Sequence, residues 1–357
     1  MENEVGPGSV VRLVTRRWLL IIIGLTIVVG ASLPPFMTAS CLNRQQTAAE
    51  IRALENLRAM TRGGALPAED AVARIETDYP RTRAAGLARL VRARIHLNSK
   101  DFAGVAALLD AAAIRDHTEL GDYALLMRAD ALDQAGKRAE ARTVFEKLAR
   151  DYPSSIRAPE ALHRDAKLLL QSGDAAGVPA LLKDLIAKDD PAALLLSALA
   201  DERLNQVDHA LAAYRRLYFY APASAESANA QTALTRAAVP LTPASAEEAI
   251  RRADSLYAAK KYAEAVTAYG EAFSHFPNTA NAQSQLRRGI AASITRKVPD
   301  AVAALGKVPT AAGEIRAEAL YHLAETYAHA RQWAQVRTTI DEMRRTSANS
   351  PWTPRNS

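Results

Sequence analysis

The 357-residue sequence has a single cysteine, Cys41, and an aromatic content of only 6%. One cysteine excludes an intramolecular disulfide, so a disulfide framework cannot hold this fold together. No segment has the pattern of a β-strand, which leaves an all-α class. The phosphate loops G-x-x-x-x-G-K-[ST] and G-x-G-x-x-G are also missing from the sequence, which argues against a nucleotide-binding enzyme.

The seven histidines are scattered, and the closest pair, His322 and His329, has no third ligand nearby. We therefore predict no metal site and no cofactor. Ser, Cys and His residues show no spacing that indicates a nucleophile, so we predict that the chain is not an enzyme.

The net charge of +6 admits an anionic partner, but 39 acidic residues are interleaved with the basic ones. No dense Lys/Arg block is present, and aromatic residues do not alternate with basic ones as in single-strand binders. The charges therefore predict solvated helix faces and no nucleic-acid partner. An anionic-polymer binder stays open as an alternative, and it predicts binding that depends steeply on salt.

A ladder of residues recurs three times with steps of 12, 4, 3 and 5 residues. The copies are Ala129, Ala141, Phe145, Leu148 and Pro153; Ala198, Ala210, Tyr214, Leu217 and Pro222; and Ala253, Ala265, Tyr269, Ala272 and Pro277. Small residues at this spacing let two helices approach, large residues fill the gap, and the proline ends the second helix. One such pair cannot bury its apolar face alone, so the ladder predicts an α-solenoid of stacked copies.

These spacings resemble the tetratricopeptide repeat (TPR), and weaker copies extend the resemblance over about residues 50–350. Equivalent small residues are Ala68, Val105, Ala141, Val178, Ala210, Ala265, Ala301 and Val336, with steps of 32 to 37 residues and one step of 55. The weaker copies also contain Ala93, Leu109, Ala166, Leu182, Leu185, Gly289, Leu305 and Met343, and Trp333 is expected to pack at an inter-helix turn. The resemblance implies about seven to eight helix-turn-helix repeats after an N-terminal membrane or signal segment.

The 55-residue step marks a break in the array. One extra helix is predicted over about 224–238, and the prolines of Val-Pro-Leu-Thr-Pro (239–243) end it. This pattern predicts an N-terminal array over 50–238, a linker over 239–244 and a C-terminal array over 245–349. A simple irregularity in one continuous array is the alternative.

An aromatic residue, a proline and a small polar residue recur at Tyr79-Pro80, Tyr152-Pro153 and Phe276-Pro277, where the polar residue can cap the next helix. This form is similar to TPR proteins of the bacterial envelope, including outer-membrane assembly lipoproteins and the superhelical region of soluble lytic transglycosylases. Those enzymes use a Glu-Ser pair before a Gly-Leu-Met-Gln-like segment. Here Ala-Asn-Ala-Gln follows Glu226-Ser227 inside the repeats, so the resemblance implies their scaffold without their active site.

Arg12, Arg16 and Arg17 precede an apolar run over 18–33. This order of charge places residues 1–17 in the cytoplasm and the later residues outside it. The predicted signal peptide or membrane anchor covers 18–37 and a linker covers 38–49; cleavage and retention both stay open. Thr38-Ala39-Ser40-Cys41 is similar to a lipoprotein processing site, so Cys41 is a lipidation candidate, with a free thiol as the alternative.

TPR arrays usually bind partners on the concave surface that their first helices line. The resemblance places these residues there: Tyr123, Leu126, Asp130, Leu195, Glu202, Ile250, Asp254, Tyr257, Tyr321 and Glu325. Their mixture of apolar, aromatic and acidic groups suits an extended peptide or a helix. Ordinary packing between repeats is the alternative for each of them.

Near the chain end, Ser350 aligns with Ser155 and Pro354 with Pro159, so residues 350–357 are predicted to be the start of a truncated repeat or a disordered tail. Together these features predict a non-enzymatic scaffold on the periplasmic side of a bacterial envelope, exported or tethered to the membrane, that binds a protein or peptide. The alternative is the non-catalytic region of a lytic transglycosylase, which would act on peptidoglycan.

Overall fold

The structure, a computed structural model, describes residues 48–110 and 112–354. These residues form helices and turns and no β-strand, so the predicted all-α class is confirmed. No helix among them combines the length and the apolarity that a membrane span requires. The predicted signal peptide or anchor and Cys41 lie outside the described residues.

The chain divides into two compact units, Met1–Leu168 and Leu169–Ser357, and the division falls within helix α8. The helices of the first unit are α1 (Ala48–Thr61), α2 (Glu69–Asp78), α3 (Arg83–Asn98), α4 (Phe102–Leu108), α5 (Ala112–His117), α6 (Gly121–Gln134), α7 (Arg138–Asp151) and most of α8 (Ala158–Ser172).

The second unit continues from the end of α8. Its helices are α9 (Gly177–Leu181), α10 (Lys183–Ala187), α11 (Pro191–Arg203), α12 (Val207–Tyr220), α13 (Ser227–Arg236), α14 (Ala246–Ala258), α15 (Tyr262–His275), α16 (Ala282–Ile294), α17 (Val298–Gly306), α18 (Glu314–His329) and α19 (Trp333–Thr346). Two short 3₁₀ turns, Pro277–Thr279 and Thr310–Ala312, precede α16 and α18.

Consecutive helices pack as pairs, and ladder residues from both helices of a pair lie in the same buried cluster. In the pairs α6/α7, α11/α12 and α14/α15, the first small residues Ala129, Ala198 and Ala253 are fully buried. Each second helix ends two residues before the ladder proline, because proline supplies no N–H to continue it. Each unit is therefore a TPR-like stack of helix pairs, as the sequence predicted.

Gly289 shows why the ladder requires small residues. A Cβ atom at this position of α16 would lie 2.4 Å from Cγ of Leu305 on α17 and 3.2 Å from the Leu305 backbone nitrogen. The two helices approach so closely that glycine leaves just enough space, which confirms the weak copy built on Gly289 and Leu305.

The weak copy around Val178 departs from the ladder. The ladder places Val178, Leu182 and Leu185 on one second helix, but the chain forms the two short helices α9 and α10 instead. Leu182 has φ −95° and ψ 6°, and its carbonyl accepts hydrogen bonds from both Leu185 and Ile186. This tight turn ends one helix and begins the next.

The predicted linker over 239–244, which we call the joint, lies inside the second unit and is held by Arg215 of α12. The Arg215 guanidinium donates to the carbonyl oxygens of Pro240 and Thr242, each at 3.0 Å, and pairs with Glu248 of α14 at 2.6 Å. The extra helix is observed as α13. The division into two arrays at this point stays a prediction, and the two compact units divide elsewhere.

The helix caps after the aromatic-proline turns differ from one turn to the next. Thr82 accepts a hydrogen bond from the Ala85 N–H and caps α3, as predicted. After Phe276-Pro277, the cap is Asn281, which accepts from the Ser284 N–H, because a 3₁₀ turn delays the helix. After Tyr152-Pro153, the Ser155 hydroxyl donates to Asp122 at 2.5 Å.

The last described residues dock on α18. The Ser350 hydroxyl donates to the Glu314 carboxylate at 2.7 Å. The Ser155 hydroxyl donates to Asp122 in the same way, and in both contacts the serine follows the acid by about one repeat. Trp352 packs against Tyr321 with ring centroids 5.4 Å apart. The Ser350 contact therefore matches the alignment of Ser350 with Ser155, and the assignment of residues 350–357 to a truncated repeat or a disordered tail stays a prediction.

Candidate functional site

The predicted binding residues lie on first helices of the pairs: α6 in the first unit, and α11, α14 and α18 in the second. We call the surface of these helices and of α16 the first-helix surface. Tyr123, Leu126 and Asp130 are on α6, Leu195 and Glu202 on α11, Ile250, Asp254 and Tyr257 on α14, and Tyr321 and Glu325 on α18. Each unit carries its own part of this surface.

In the first unit, Asp130 of α6 pairs with Arg164 of α8. Arg164 also pairs with Glu160 at 2.7 Å. Burial raises the pKa of Asp130, although the Arg164 charge acts in the opposite direction. The Asp130 carboxylate therefore joins α6 to α8, the first helix of the next pair.

In the second unit, two predicted acids form the same kind of pair. Glu202 of α11 pairs with Arg236 of α13 at 2.8 Å, and Asp254 of α14 pairs with Arg287 of α16 at 2.9 Å. In each case, the arginine lies about one repeat later in the chain. The acids are thus already engaged within the stack, and each pair leaves both groups partly exposed to solvent.

Two ladder tyrosines contact the same acids from the second helix. The buried Tyr269 hydroxyl donates to Asp254, and burial with this hydrogen bond raises the pKa of Tyr269. Burial, together with the Glu202 carboxylate, raises the pKa of Tyr214 to about 12. Both phenols therefore stay protonated at neutral pH and act as hydrogen-bond donors.

The sequence reasoning missed the arginine partners, which are Arg164, Arg236 and Arg287. A pairing rule could have found them: an acid on one first helix and an arginine 33 or 34 residues later. Many basic residues fall at comparable separations, so the spacing becomes informative only after the repeat register is known.

The aromatic candidates are half-buried and each has a neighbour. The Arg157 guanidinium lies 5.3 Å from the centroid of the Tyr123 ring, which favours a cation–π contact. The rings of Tyr257 and Tyr262 pack edge-on with their centroids 5.7 Å apart, and burial raises the pKa of Tyr257. A hydrogen bond to Glu325 is the main reason that the pKa of Tyr321 is raised.

The aliphatic candidates Leu126, Leu195 and Ile250 are partly buried and pack against the core of their own unit. Each leaves part of its side chain accessible. Such residues can provide apolar contact area for a ligand while they also hold neighbouring helices together.

The histidine pair of α18 gives no ligand cluster. His322 contacts Glu325 at 2.9 Å, and His329 is exposed. Among residues 48–110 and 112–354, no group of three His, Cys, Asp or Glu side chains could hold a metal ion.

Trp333 corrects a further expectation. It begins α19 at the inter-helix turn, as predicted, but it does not pack there, because 57% of its surface is exposed. Glu226-Ser227 lies at the start of α13 inside the stack, where the Ser227 side chain is buried.

A family model described as tetratricopeptide repeat matches residues 123–155 and 250–279. The two matches correspond to the pairs α6/α7 and α14/α15, which hold the first and third ladder copies. The chain therefore contains tetratricopeptide repeats. Such repeats suggest a scaffold for protein–protein interaction.

Two solved structures resemble the chain at low identity. The C-terminal part of a TPR repeat-containing protein from Cytophaga hutchinsonii is 14% identical, with coverage of 72% of this chain and 95% of that chain and a TM-score of 0.31. The TPR domain of P58(IPK) is 16% identical, with coverage of 86% and 95% and a TM-score of 0.25. No curated protein matches the chain. These values are too low for residue roles to be transferred.

Proposed function

We propose that the protein is a non-enzymatic scaffold of the bacterial cell envelope that binds an extended peptide or a helix of a protein partner on its first-helix surface. The observation that carries the proposal is the composition of this surface in the second unit. There, partly accessible Ile250 and Tyr257 lie beside the ion pair of Asp254 with Arg287.

The ion pairs prepare this surface for a ligand. Because Arg287 and Tyr269 both hold Asp254, the carboxylate does not need to lose conformational freedom when a peptide binds. The part of each pair that faces solvent supplies donors and acceptors for a peptide backbone. The neighbouring tyrosine rings supply rigid apolar area, which is typical of residues that dominate binding energy.

The envelope location rests on the N-terminal sequence. Basic residues before the apolar run over 18–33 favour export of the repeats to the periplasmic side. Either retention of this segment or lipidation of Cys41 would tether the scaffold to a membrane. A protease added to spheroplasts should then degrade the repeats, whereas degradation only after cell lysis would contradict this location.

Photo-crosslinking tests the binding surface directly. A photoreactive amino acid at Ile250 or Tyr257 should give an adduct with the same partner protein in living cells, identified by mass spectrometry. Thr267, an exposed residue on the second helix α15, is the matched control position. Adducts of equal yield at Thr267, or none at Ile250 and Tyr257, would contradict the proposal.

Once a partner is identified, its affinity can be measured for substituted chains. Replacement of both Ile250 and Tyr257 by alanine should weaken binding by about 10- to 100-fold if they act as anchors. A melting curve for each variant separates a loss of contacts from a loss of folding.

A further inference from the structure

Three inter-helix turns of the second unit have an unusual backbone feature. Lys260, Arg296 and Arg331 have positive φ angles of 61°, 61° and 58°. Helices usually end in this left-handed conformation with glycine or asparagine, because other side chains are strained there. In earlier turns, Gly136 and Asn205 follow that preference, whereas Lys100 of the first unit, with a φ angle of 61°, does not. The turns within the pairs α14/α15, α16/α17 and α18/α19 instead place a cation at the strained position.

Contacts between these helices join residues 33 positions apart in the sequence, which places the turns that follow the helices along one edge. Asp254 of α14 pairs with Arg287 of α16, and the Thr326 hydroxyl of α18 donates to Ser293 of α16 at 2.8 Å. Ser293 and Thr326 are both close to the C-terminal ends of their helices. The contacts therefore bring the turns that follow α14, α16 and α18 side by side.

This edge is positively charged. We call it the basic edge, and its cations are Lys260, Lys261, Arg296, Lys297 and Arg331, all exposed. Within the described part of the chain, no ion pair joins Lys260, Arg296, Lys297 or Arg331 to an acid. Lys261 and Glu264 are 4.0 Å apart, and Asp300, three residues after Lys297, is half-buried. The cations thus outnumber the nearby acids and face solvent.

Apolar side chains accompany the cations. Ile294 and Trp333 border the turns and are 52% and 57% exposed, so neither contributes its full area to the core. Tyr262 and Val298, which begin the second helices after the first two turns, are partly buried. The same edge therefore presents charge and apolar surface together.

We propose that the basic edge docks on the surface of an anionic lipid bilayer. Lipid headgroups supply the complementary charge, and the boundary below them accommodates Ile294 and Trp333. A single-stranded nucleic acid would match the charge, but it gains most from a series of exposed aromatic rings, and Ile294 has no role in stacking. The combination of cations with aliphatic surface therefore favours lipid. This role is separate from partner binding on the first-helix surface.

The experiment uses the full chain with Cys41→Ser and an environment-sensitive fluorophore on Ile294→Cys. A second chain carries the probe on Ile156→Cys, a position in the first unit that is 87% exposed. Each is mixed with vesicles of phosphatidylcholine alone or with added phosphatidylglycerol. The probe reports on its own surroundings, whichever part of the chain brings the protein to the vesicle.

The expected result is a blue shift of the Ile294 probe with anionic vesicles, reversed by high salt, and no shift of the Ile156 probe. The triple variant with Lys260→Gly, Arg296→Gly and Arg331→Gly should respond to anionic lipid about 100-fold more weakly. Each cation near the surface raises the affinity for the membrane by about fivefold. The positive φ angles suit glycine, so this variant keeps its fold.

Asn205→Gly with Ala238→Gly is the matched control, because both residues have positive φ angles and neither is charged. This control should respond to vesicles like the original chain. The proposal is overturned if the Ile294 probe does not shift, if it shifts equally with neutral vesicles, or if the triple glycine variant responds unchanged. A response to single-stranded RNA without vesicles that matches the response to lipid would assign the edge to nucleic acid instead.

Discussion

Arg287 and Asp254 form an ion pair between neighbouring first helices, with Nη1 2.9 Å from the carboxylate. The same carboxylate accepts a hydrogen bond from the hydroxyl of the buried Tyr269 on the second helix α15. Asp254 therefore joins three helices, α14, α15 and α16. A residue that the sequence suggested as a ligand contact also holds the stack together.

Loss of this carboxylate should destabilise the second unit. Asp254→Ala leaves the buried Tyr269 hydroxyl without its acceptor, so we expect a loss of about 1–3 kcal/mol in the free energy of unfolding. Urea denaturation measures this quantity. Glu264→Ala, at an exposed acid that lies 4.0 Å from Lys261, is the control and should change it by less than about 0.5 kcal/mol. Equal losses for the two variants would contradict the role of Asp254.

Arg142 should be important because it neutralises a fully buried carboxylate. Asp165 is 0% exposed, and one of its oxygens accepts from Arg142 Nε at 2.7 Å. Arg142→Met leaves this charge uncompensated, so we expect a loss of about 3–5 kcal/mol at neutral pH. Addition of Asp165→Asn should restore part of the stability.

The pH dependence of that loss provides a second measurement. Burial raises the pKa of Asp165, and Arg142 opposes this shift. Without Arg142 the carboxyl should protonate more readily, so Arg142→Met should lose less stability in mild acid than at neutral pH. A loss that is independent of pH would contradict this explanation.

Protonated His96 should stabilise the first unit, and this stability should be lost in mild alkali. Its Nε2 lies 2.9 Å from Glu69 and its Nδ1 lies 2.6 Å from Asp101, and Arg92 also contacts Glu69. Hydrogen bonds to Glu69 and Asp101 raise the pKa of His96 above its ordinary value of 6.5. A raised folded pKa gives stability that is complete below pH 6.5 and is lost as the pH rises through the folded value.

Urea denaturation between about pH 6 and about pH 9 tests this expectation, since the range spans the titration of histidine. The stability of the original chain should fall across this range, and His96→Gln should remove that part of the change. NMR titration of the His96 ring should give a pKa above 6.5. An ordinary or lowered pKa would refute the predicted coupling.

Gly289→Ala should destabilise the pair α16/α17. The new methyl group would lie 2.4 Å from Leu305 Cγ, so the helices must separate or Leu305 must move. We expect a loss of about 1–3 kcal/mol, which is typical of overpacking. Gly306→Ala is the control, because a Cβ atom there has no neighbour within 4 Å. An unchanged free energy of unfolding for Gly289→Ala would contradict the close approach of α16 to α17.

The sequence alone was sufficient to predict the helix pairs. Ala129, Ala198 and Ala253 allow close approach, and the ladder prolines end the second helices, so both effects follow from local chemistry. The contacts of Asp254 with Arg287 and of Arg215 with the joint could not be predicted in the same way. They form between segments about one repeat apart, and their partners depend on how the pairs stack.

The exposure of Trp333 was also missed, for a related physical reason. An aromatic residue at a helix start usually packs against the preceding turn, and its spacing fits the repeat. Whether the aromatic side chain packs there depends on the neighbouring turns, and near Trp333 those turns carry Arg331 and Arg296. The basic edge likewise escapes a search for dense charge, because its cations are separated by whole repeats.

The stacking of the first helices in a register of one repeat is the basis of both proposed surfaces. A cysteine pair at Ser293 and Thr326, with Cys41→Ser, tests it most directly, because the two side-chain oxygens lie 2.8 Å apart. Mild oxidation should give a disulfide within one chain, seen by mass spectrometry as the loss of two hydrogen atoms. No disulfide there, or a more efficient one between Ser293→Cys and His322→Cys, would contradict the register.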